Sequence, residues 1–426
     1  MTAVAILATL LADMHENTGT AFAVAVNARD RLKAEYVARS GLDLTRLLVG
    51  QEPSIRALVN PFYQAILGRP PPQLPVWSLS NDIITPFCDP ERAEAAGAST
   101  GLSFQAAEGL EALPGTCEIV SFAENSKLNL NDPLNLDGDP AKKNVASQLY
   151  ALLGGYLGEN DPYLPLFTGR DPEGNFTDRQ TLVSALIDWW DPDTNRTAFD
   201  PGALEVSAAG SEEDIYRTFD DPYHIKNAPF DSLEEMRLVR GMSDDIWSTF
   251  IEPNPEDPSS RKVTIYGSGS VNPNEAPPEV LLARLCSYVD DQPLCIDPLE
   301  AQKFINLVST ARALFPVPFF TRVNDFLTFL EGGGGPRDLY PMLQGILGEG
   351  HPLLFTPIQI PQEQRTEIDN RFVTAARLLT IQSTGIVGKT RVRIRAVVNF
   401  HDRWAPPPPN AGRMPALGVY HHYRVD

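Results

Sequence analysis

The sequence predicts an α+β fold with helices and strands in separate stretches of the chain, on three observations. Phe22, Val26, Leu32, Tyr36, Leu42, Leu44, Leu47 and Leu48 recur at near-helical spacing, with Arg29, Asp30, Arg31, Lys33 and Glu35 between them. Short β-type runs (VWSL, CEIVSF, KLNLN) lie among turn residues over 76–139, and residues 373–400 read as two long strands. Between these two regions the apolar pattern of residues 141–330 is helical.

Composition narrows the classes of function. A chain of 426 residues predicts two to four domains at roughly 100–200 residues each. Lys+Arg 35 against Asp+Glu 55 leaves a net charge of -20, which repels phosphate backbones and argues against nucleic-acid binding. Hydrophobic residues at 42% and charged residues at 21% exclude a wholly disordered or polytopic membrane chain. The cysteines fall in two local pairs, Cys88 with Cys117 and Cys286 with Cys295, neither at CxxC spacing. Two disulfides formed in an oxidising compartment are the preferred reading and four free thiols the alternative.

Residues 2–12 are an unbroken apolar run that Asp13, His15 and Glu16 end well short of the ~20 residues needed to cross a bilayer. No Lys or Arg precedes Arg29, so the run lacks the basic start of a secretory signal. One long helix, apolar first and amphipathic later, is expected, with a buried helix hairpin as the alternative. Arg69-Pro70-Pro71-Pro72 ends it. Segments are expected at 1–69 (the long helix), 70–139 (a small sheet region), 140–335 (a helical domain) and 336–426 (closing strands and tail).

Within the helical stretch, VASQLYALLGGYL and RQTLVSALIDWW read as helices, the second stopped by Pro192. It runs into Asp188, Asp191, Asp193 and Asn195, and Glu212, Glu213 and Asp214 follow about twenty residues later. Hard oxygen donors at alternate positions of a turn suit Ca²⁺, which takes six to eight oxygens in irregular geometry. DPDTN is not an EF-hand start, because Arg196 stands where the loop glycine belongs. Spacing alone serves a metal loop and a helix end with solvated acids equally well.

FDSLEEMRLVRGMSDDIW and GSVNPNEAPPEVLLARL look like helix-hairpin-helix units, the second with Asn274 as a cap before Pro277 and Pro278. Their acidic flanks favour a structural role. Helices over 299–315 and 320–330 lead to a Gly332–Gly335 linker, and Pro406 to Pro409 read as a stiff connector. No GxSxG, HExxH or GxGxxG motif is present, and the histidines have no local partners that define a triad, so the chain is read as non-enzymatic.

Five colinear blocks resemble the K component of type II secretion systems, the large minor pseudopilin. They are residues 28–48 (ARDRLKAEYVARSGLDLTRLL), 127–133 (KLNLNDP), 185–193 with 210–216 (ALIDWWDPD, GSEEDIY), 227–242 (NAPFDSLEEMRLVRGM) and 263–281 (VTIYGSGSVNPNEAPPEVL). The resemblance implies a pseudopilin fold, a long N-terminal helix packed on a small antiparallel sheet, with a large α-helical domain inserted. It implies a subunit at the tip of the periplasmic pseudopilus with the minor pseudopilins I and J, above the major pseudopilin G, near the secreted substrates and the outer-membrane secretin. It also implies calcium in the inserted domain. Carried onto this sequence, the ligands are Asp191, Asp193, Glu213 and Asp214, with Asp188 beside them, and Phe22, Val26, Leu32 and Tyr36 belong to the assembly helix. Family members carry a basic leader and a full inner-membrane span, whereas this chain starts inside the expected span, so leader processing is not read from it. The alternatives are a minor pilin of a type IV pilus-like system and an extracellular Ca²⁺-dependent binding or hydrolytic domain.

Overall fold

The computed structural model describes residues 2–88, 115–132, 139–170, 177–219, 221–315, 317–335, 337–400 and 417–426. The proline run at 406–409 lies outside them. In chain order the elements are α1 (Thr2–Leu67), α2 (Ser80–Cys88), β1 (Thr116–Ala123), β2 (Leu128–Asn129), α3 (Asp139–Leu152), α4 (Arg179–Trp190), β3 (Asn195–Asp200), β4 (Glu205–Ser211), β5 (Val263–Thr264), α5 (Pro278–Cys286), α6 (Pro298–Leu314), α7 (Val323–Leu330), α8 (Leu339–Leu347), α9 (Gln362–Arg371), β6 (Leu378–Val387), β7 (Thr390–Asn399) and β8 (Val419–Val425), with short helical turns between some of them.

The chain divides into two compact units. One holds residues 1–52, 75–122 and 379–426, and the other holds residues 53–74 and 123–378. These bounds differ from those expected at 69, 139 and 335. The helix α1 contributes residues to both units, and Gly332–Gly335 is no linker between domains. The amides of Gly334 and Gly335 donate to Asp338 Oδ2 at 2.9 and 2.8 Å, so the glycines form a turn between α7 and α8 within one unit.

In the first unit α1 buries Ala34, Val37, Ala38, Leu42, Thr45 and Val49, a stripe repeating every three or four residues. Glycines permit its close approach to β6. A Cβ on Gly385 would stand 2.0 Å from the Ala34 carbonyl oxygen, and one on Gly41 would stand 2.6 Å from Ser383 Oγ. The other face of α1 is bare: Phe22 is 70% exposed, Leu32 55% and Tyr36 52%. Val26 is half-buried. Among the described residues no helix is long and apolar enough to cross a membrane.

The run VWSL, expected as a strand, is a helical turn, Val76–Leu79, because the Pro75 carbonyl accepts from both the amide and the hydroxyl of Ser78 while Trp77 is buried. The sheet has the order β1-β6-β7-β8. β6 is buried along nearly its whole length, as befits an interior strand. β7 alternates, with Val392, Ile394 and Ala396 buried between exposed or half-buried arginines. The chain does not close on a two-stranded hairpin as expected. β8 follows and pairs antiparallel with β7, Ile394 opposite Val425 and Ala396 opposite Tyr423. Cys88 is bonded to Cys117 in this unit, and Cys286 to Cys295 in the other.

The second unit packs its helices around one core that includes Leu182, Leu186, Trp189, Met236, Trp247, Phe304, Phe326 and Phe355. Arg284 of α5 is buried within it, 2.7 Å from Asp132 Oδ2 and donating to Gln148 Oε1 at 2.9 Å. Both expected helix-hairpin-helix units are shorter than the sequence suggests. The first is a capped turn, Leu233–Leu238, joined through Gly241 at positive φ to Asp244–Ile246 and a wider turn, Trp247–Ile251. The second contains one helix, α5, whose cap position is Pro277. Asn274 does not cap it. Its Oδ1 accepts from the amides of Phe319 and Phe320, and its Nδ2 donates to the Phe320 carbonyl, which pins the approach to α7.

Candidate metal centre

α4 starts at Asp178, whose carboxylate accepts from the Thr181 amide, and its last turn carries Asp188 inward. Pro192 follows directly, so Asp191 becomes the C-cap, its amide still bonded to the Ile187 carbonyl at 3.1 Å. Three residues apart on a helix end, Asp188 and Asp191 share a face. The chain then turns into the β3–β4 hairpin, in which Asn195 pairs with Ser211 and Phe199 with Val206. Thr197 and Phe199 are buried, and the antiparallel return brings Glu212 back over the helix end.

The result is a cluster of three buried carboxylates, Asp188, Asp191 and Glu212, with one oxygen of each within 4.8 Å of the others. Two oxygens bound to one Ca²⁺ at about 2.4 Å stand at most about 4.8 Å apart, so these three can reach a common ion. The Thr197 amide donates to Asp188 Oδ1 at 2.7 Å. No donor from outside the cluster reaches either oxygen of Glu212 or Asp191 Oδ1, and Glu212 and Asp191 face each other closely enough to share a proton. A neighbouring cavity of about 270 Å³, lined by Asp188, Thr197, Glu212, Tyr216 and Arg240 among others, has room for water ligands.

Burial makes the negative charge of this cluster costly. Burial first, and then the charges of Asp191 and Asp188, push Glu212 up to about 8. Burial likewise raises Asp188 to about 7, against the opposing hydrogen bond from Thr197. Asp191 is raised for the same reason, with Lys142 working against the shift. Unpaired buried oxygens and mutually repelling carboxylates are the donor set that a hard cation satisfies, so these residues fit Ca²⁺.

The other expected ligands lie apart from this triplet. Asp193 accepts from Lys142 Nζ at 2.7 Å and from the Asn195 amide at 2.7 Å, and the lysine holds its carboxyl below the usual range. Glu213 faces outward, paired with Arg217 at 2.5 Å and His224 at 3.1 Å, and His224 first and Arg217 second lower it. Asp214 is exposed. Glu212, absent from the expected ligands, takes the inward position beside Glu213. The available signal was the pair of short alternating runs RTAF and EVSAA, which fold as the hairpin that sets its register.

Residues 126–251, which contain this whole cluster, match the family model described as type II secretion system (T2SS), protein K. No curated protein sequence matches the chain. Among solved structures the chain is similar to one in the crystal structure of the GspK-GspI-GspJ complex from the enterotoxigenic Escherichia coli type 2 secretion system. That likeness has 13% identity and a TM-score of 0.42, covering 74% of this chain and 80% of that one. Over residues 126–251, less than a third of the chain, the sequence matches the type II secretion system protein K family.

Proposed function

We propose that this chain is a non-enzymatic minor pseudopilin that caps the tip of the type II secretion pseudopilus and supports its assembly and protein export across the outer membrane. The protein K match over residues 126–251 carries this reading. Its partners are the minor pseudopilins I and J, with the major pseudopilin G below, and it works close to secreted substrates and the secretin. It acts in the periplasm, held before assembly in the inner membrane by the N-terminal helix. The exposed apolar face of α1 supports this reading, since Phe22, Leu32 and Tyr36 have too little cover from this chain alone. In the second unit a Ca²⁺ held by Asp188, Asp191 and Glu212 supplies positive charge that ties the end of α4 to the end of β4.

The assembly reading is tested by replacing Leu32 and Tyr36 together with Asp and co-purifying the chain with the I and J partners. Both side chains are more than half exposed, so the chain alone should keep its circular dichroism and melting profile. Complex formation should be lost. An undiminished complex refutes the proposed use of this face.

A further inference from the structure

Lys142 sits in the first turns of α3, a helix anchored by the buried Ala141, Val145, Ala146 and Leu149. Its side chain is only 15% exposed, and its ammonium nitrogen lies 2.5 Å from Asp191 Oδ2 and 2.7 Å from Asp193 Oδ2. The next residue, Lys143, is 41% exposed and reaches Asp290 at 3.5 Å, a looser pairing at the surface. One lysine of the two is therefore built into the acidic centre, and it comes from a different helix than any of the carboxylates.

An ammonium serves this centre incompletely. It carries one charge, and it leaves Asp191 Oδ1 and both oxygens of Glu212 without a donor from outside the cluster. Ca²⁺ bonds to oxygens at about 2.3–2.6 Å, so an ion bound through the open Asp191 Oδ1 would share one carboxylate with the ammonium nitrogen that flanks Oδ2 at 2.5 Å. Two cations cannot both hold Asp191 at that range without strong repulsion.

We infer that Lys142 is a tethered counter-cation that competes with Ca²⁺ for Asp191, neutralising the centre without metal and leaving Asp191 when the ion enters. This inference rests on the calcium reading of the cluster. Lys142 then sets the affinity of the centre: it lowers the site's appetite for metal while keeping the metal-free fold intact.

The test uses the full chain with Lys142→Met, which keeps the length of the stem, and Lys142→Gln as a second variant, titrated calorimetrically with CaCl₂. Both variants should bind Ca²⁺ about tenfold more tightly than the unmodified protein, within the usual span of coupling between two sites. Their melting temperature in chelator should fall below that of the unmodified protein. In the unmodified protein, amine labelling of Lys142 read by mass spectrometry should speed up severalfold when Ca²⁺ is added, a readout independent of either variant's folding. Equal or weaker affinity in the variants, or labelling indifferent to Ca²⁺, overturns the inference and leaves the calcium reading standing where the unmodified protein binds the ion. Indifference of all three proteins to Ca²⁺ overturns both.

Discussion

Replacing Glu212 by Gln should stabilise the metal-free protein at alkaline pH and remove its response to Ca²⁺, two effects of opposite sign from one change. The substitution keeps the shape of the side chain and removes its ionisation. In the native chain burial and the neighbouring Asp191 and Asp188 push Glu212 up from 4.5 to about 8. A raised carboxyl binds its proton more tightly in the native state than in the unfolded state. Its contribution to stability is therefore complete below pH 4.5 and is lost as pH climbs through 8. Each tenfold gain in proton affinity is worth about 1.36 kcal/mol, which puts the loss on the order of 5 kcal/mol before any screening. Water in the adjoining cavity screens part of this, leaving about 2–4 kcal/mol. The loss belongs to the repelling cluster as a whole, since Asp188, raised to about 7, has the same sign. A domain of this size moves by about 2–4 °C per kcal/mol, so the metal-free variant should melt roughly 5–15 °C above the unmodified protein at pH 8.5 and close to it near pH 4.5. The unmodified protein should in turn gain about 2.7 kcal/mol in Ca²⁺ at one hundred times the dissociation constant, and the variant should lose most of that gain. Differential scanning calorimetry of both proteins, in chelator and in CaCl₂ at the two pH values, reads every one of these differences. A variant less stable than the parent in chelator at pH 8.5, or one that keeps the full Ca²⁺ response, would refute the reasoning.

Two further changes test the packing of the two units. Asp132→Ala should cost about 3–5 kcal/mol in urea unfolding, because it leaves the buried Arg284 guanidinium without its carboxylate, and Asp132→Ala combined with Arg284→Met should recover part of the loss. Gly385→Ala should cost about 1–3 kcal/mol or more in the same assay, because the new methyl would meet the Ala34 carbonyl of α1 at 2.0 Å; an unchanged midpoint would mean that α1 does not rest on β6 as described.

The long helix was legible in the sequence because a buried stripe from Ala34 to Val49 leaves a strong 3.6-residue signature, and β7 was legible because arginines alternate with Val392, Ile394 and Ala396. β8 was not, since every residue of VYHHYRV is exposed and no alternation marks it. The acidic centre was legible in its first half only. Asp188 and Asp191 are read from the end of α4, where Pro192 stops the helix. Glu212 owes its place to the register of β3 against β4, and a shift of one residue would have turned Glu213 inward instead. Lys142 lies far upstream and reaches the centre only through the packing of α3, which no local pattern announces. Asn274 shows the same limit in reverse: its sequence neighbours suit a cap, yet tertiary packing hands its side chain to Phe319 and Phe320.

The place of the second unit in the chain bears on the timing of folding. A Cβ on Gly115, at the start of β1, would touch Ile386 and Val387 at the end of β6, so these neighbouring strands run in opposite directions and about 250 residues stand where a hairpin turn could have sufficed. A ribosome adding 5–20 residues per second needs roughly 12–50 s between releasing β1 and releasing its partner. Throughout that interval β1 has an open edge, exposed to wrong pairing and to aggregation. The bond from Cys117 of β1 back to Cys88 joins two segments that are both made early. Closed in an oxidising compartment, it would hold the waiting strand against α2 until β6 arrives, so a protein lacking it should show its defect in the yield of folded chain more than in the melting temperature of the chains that succeed.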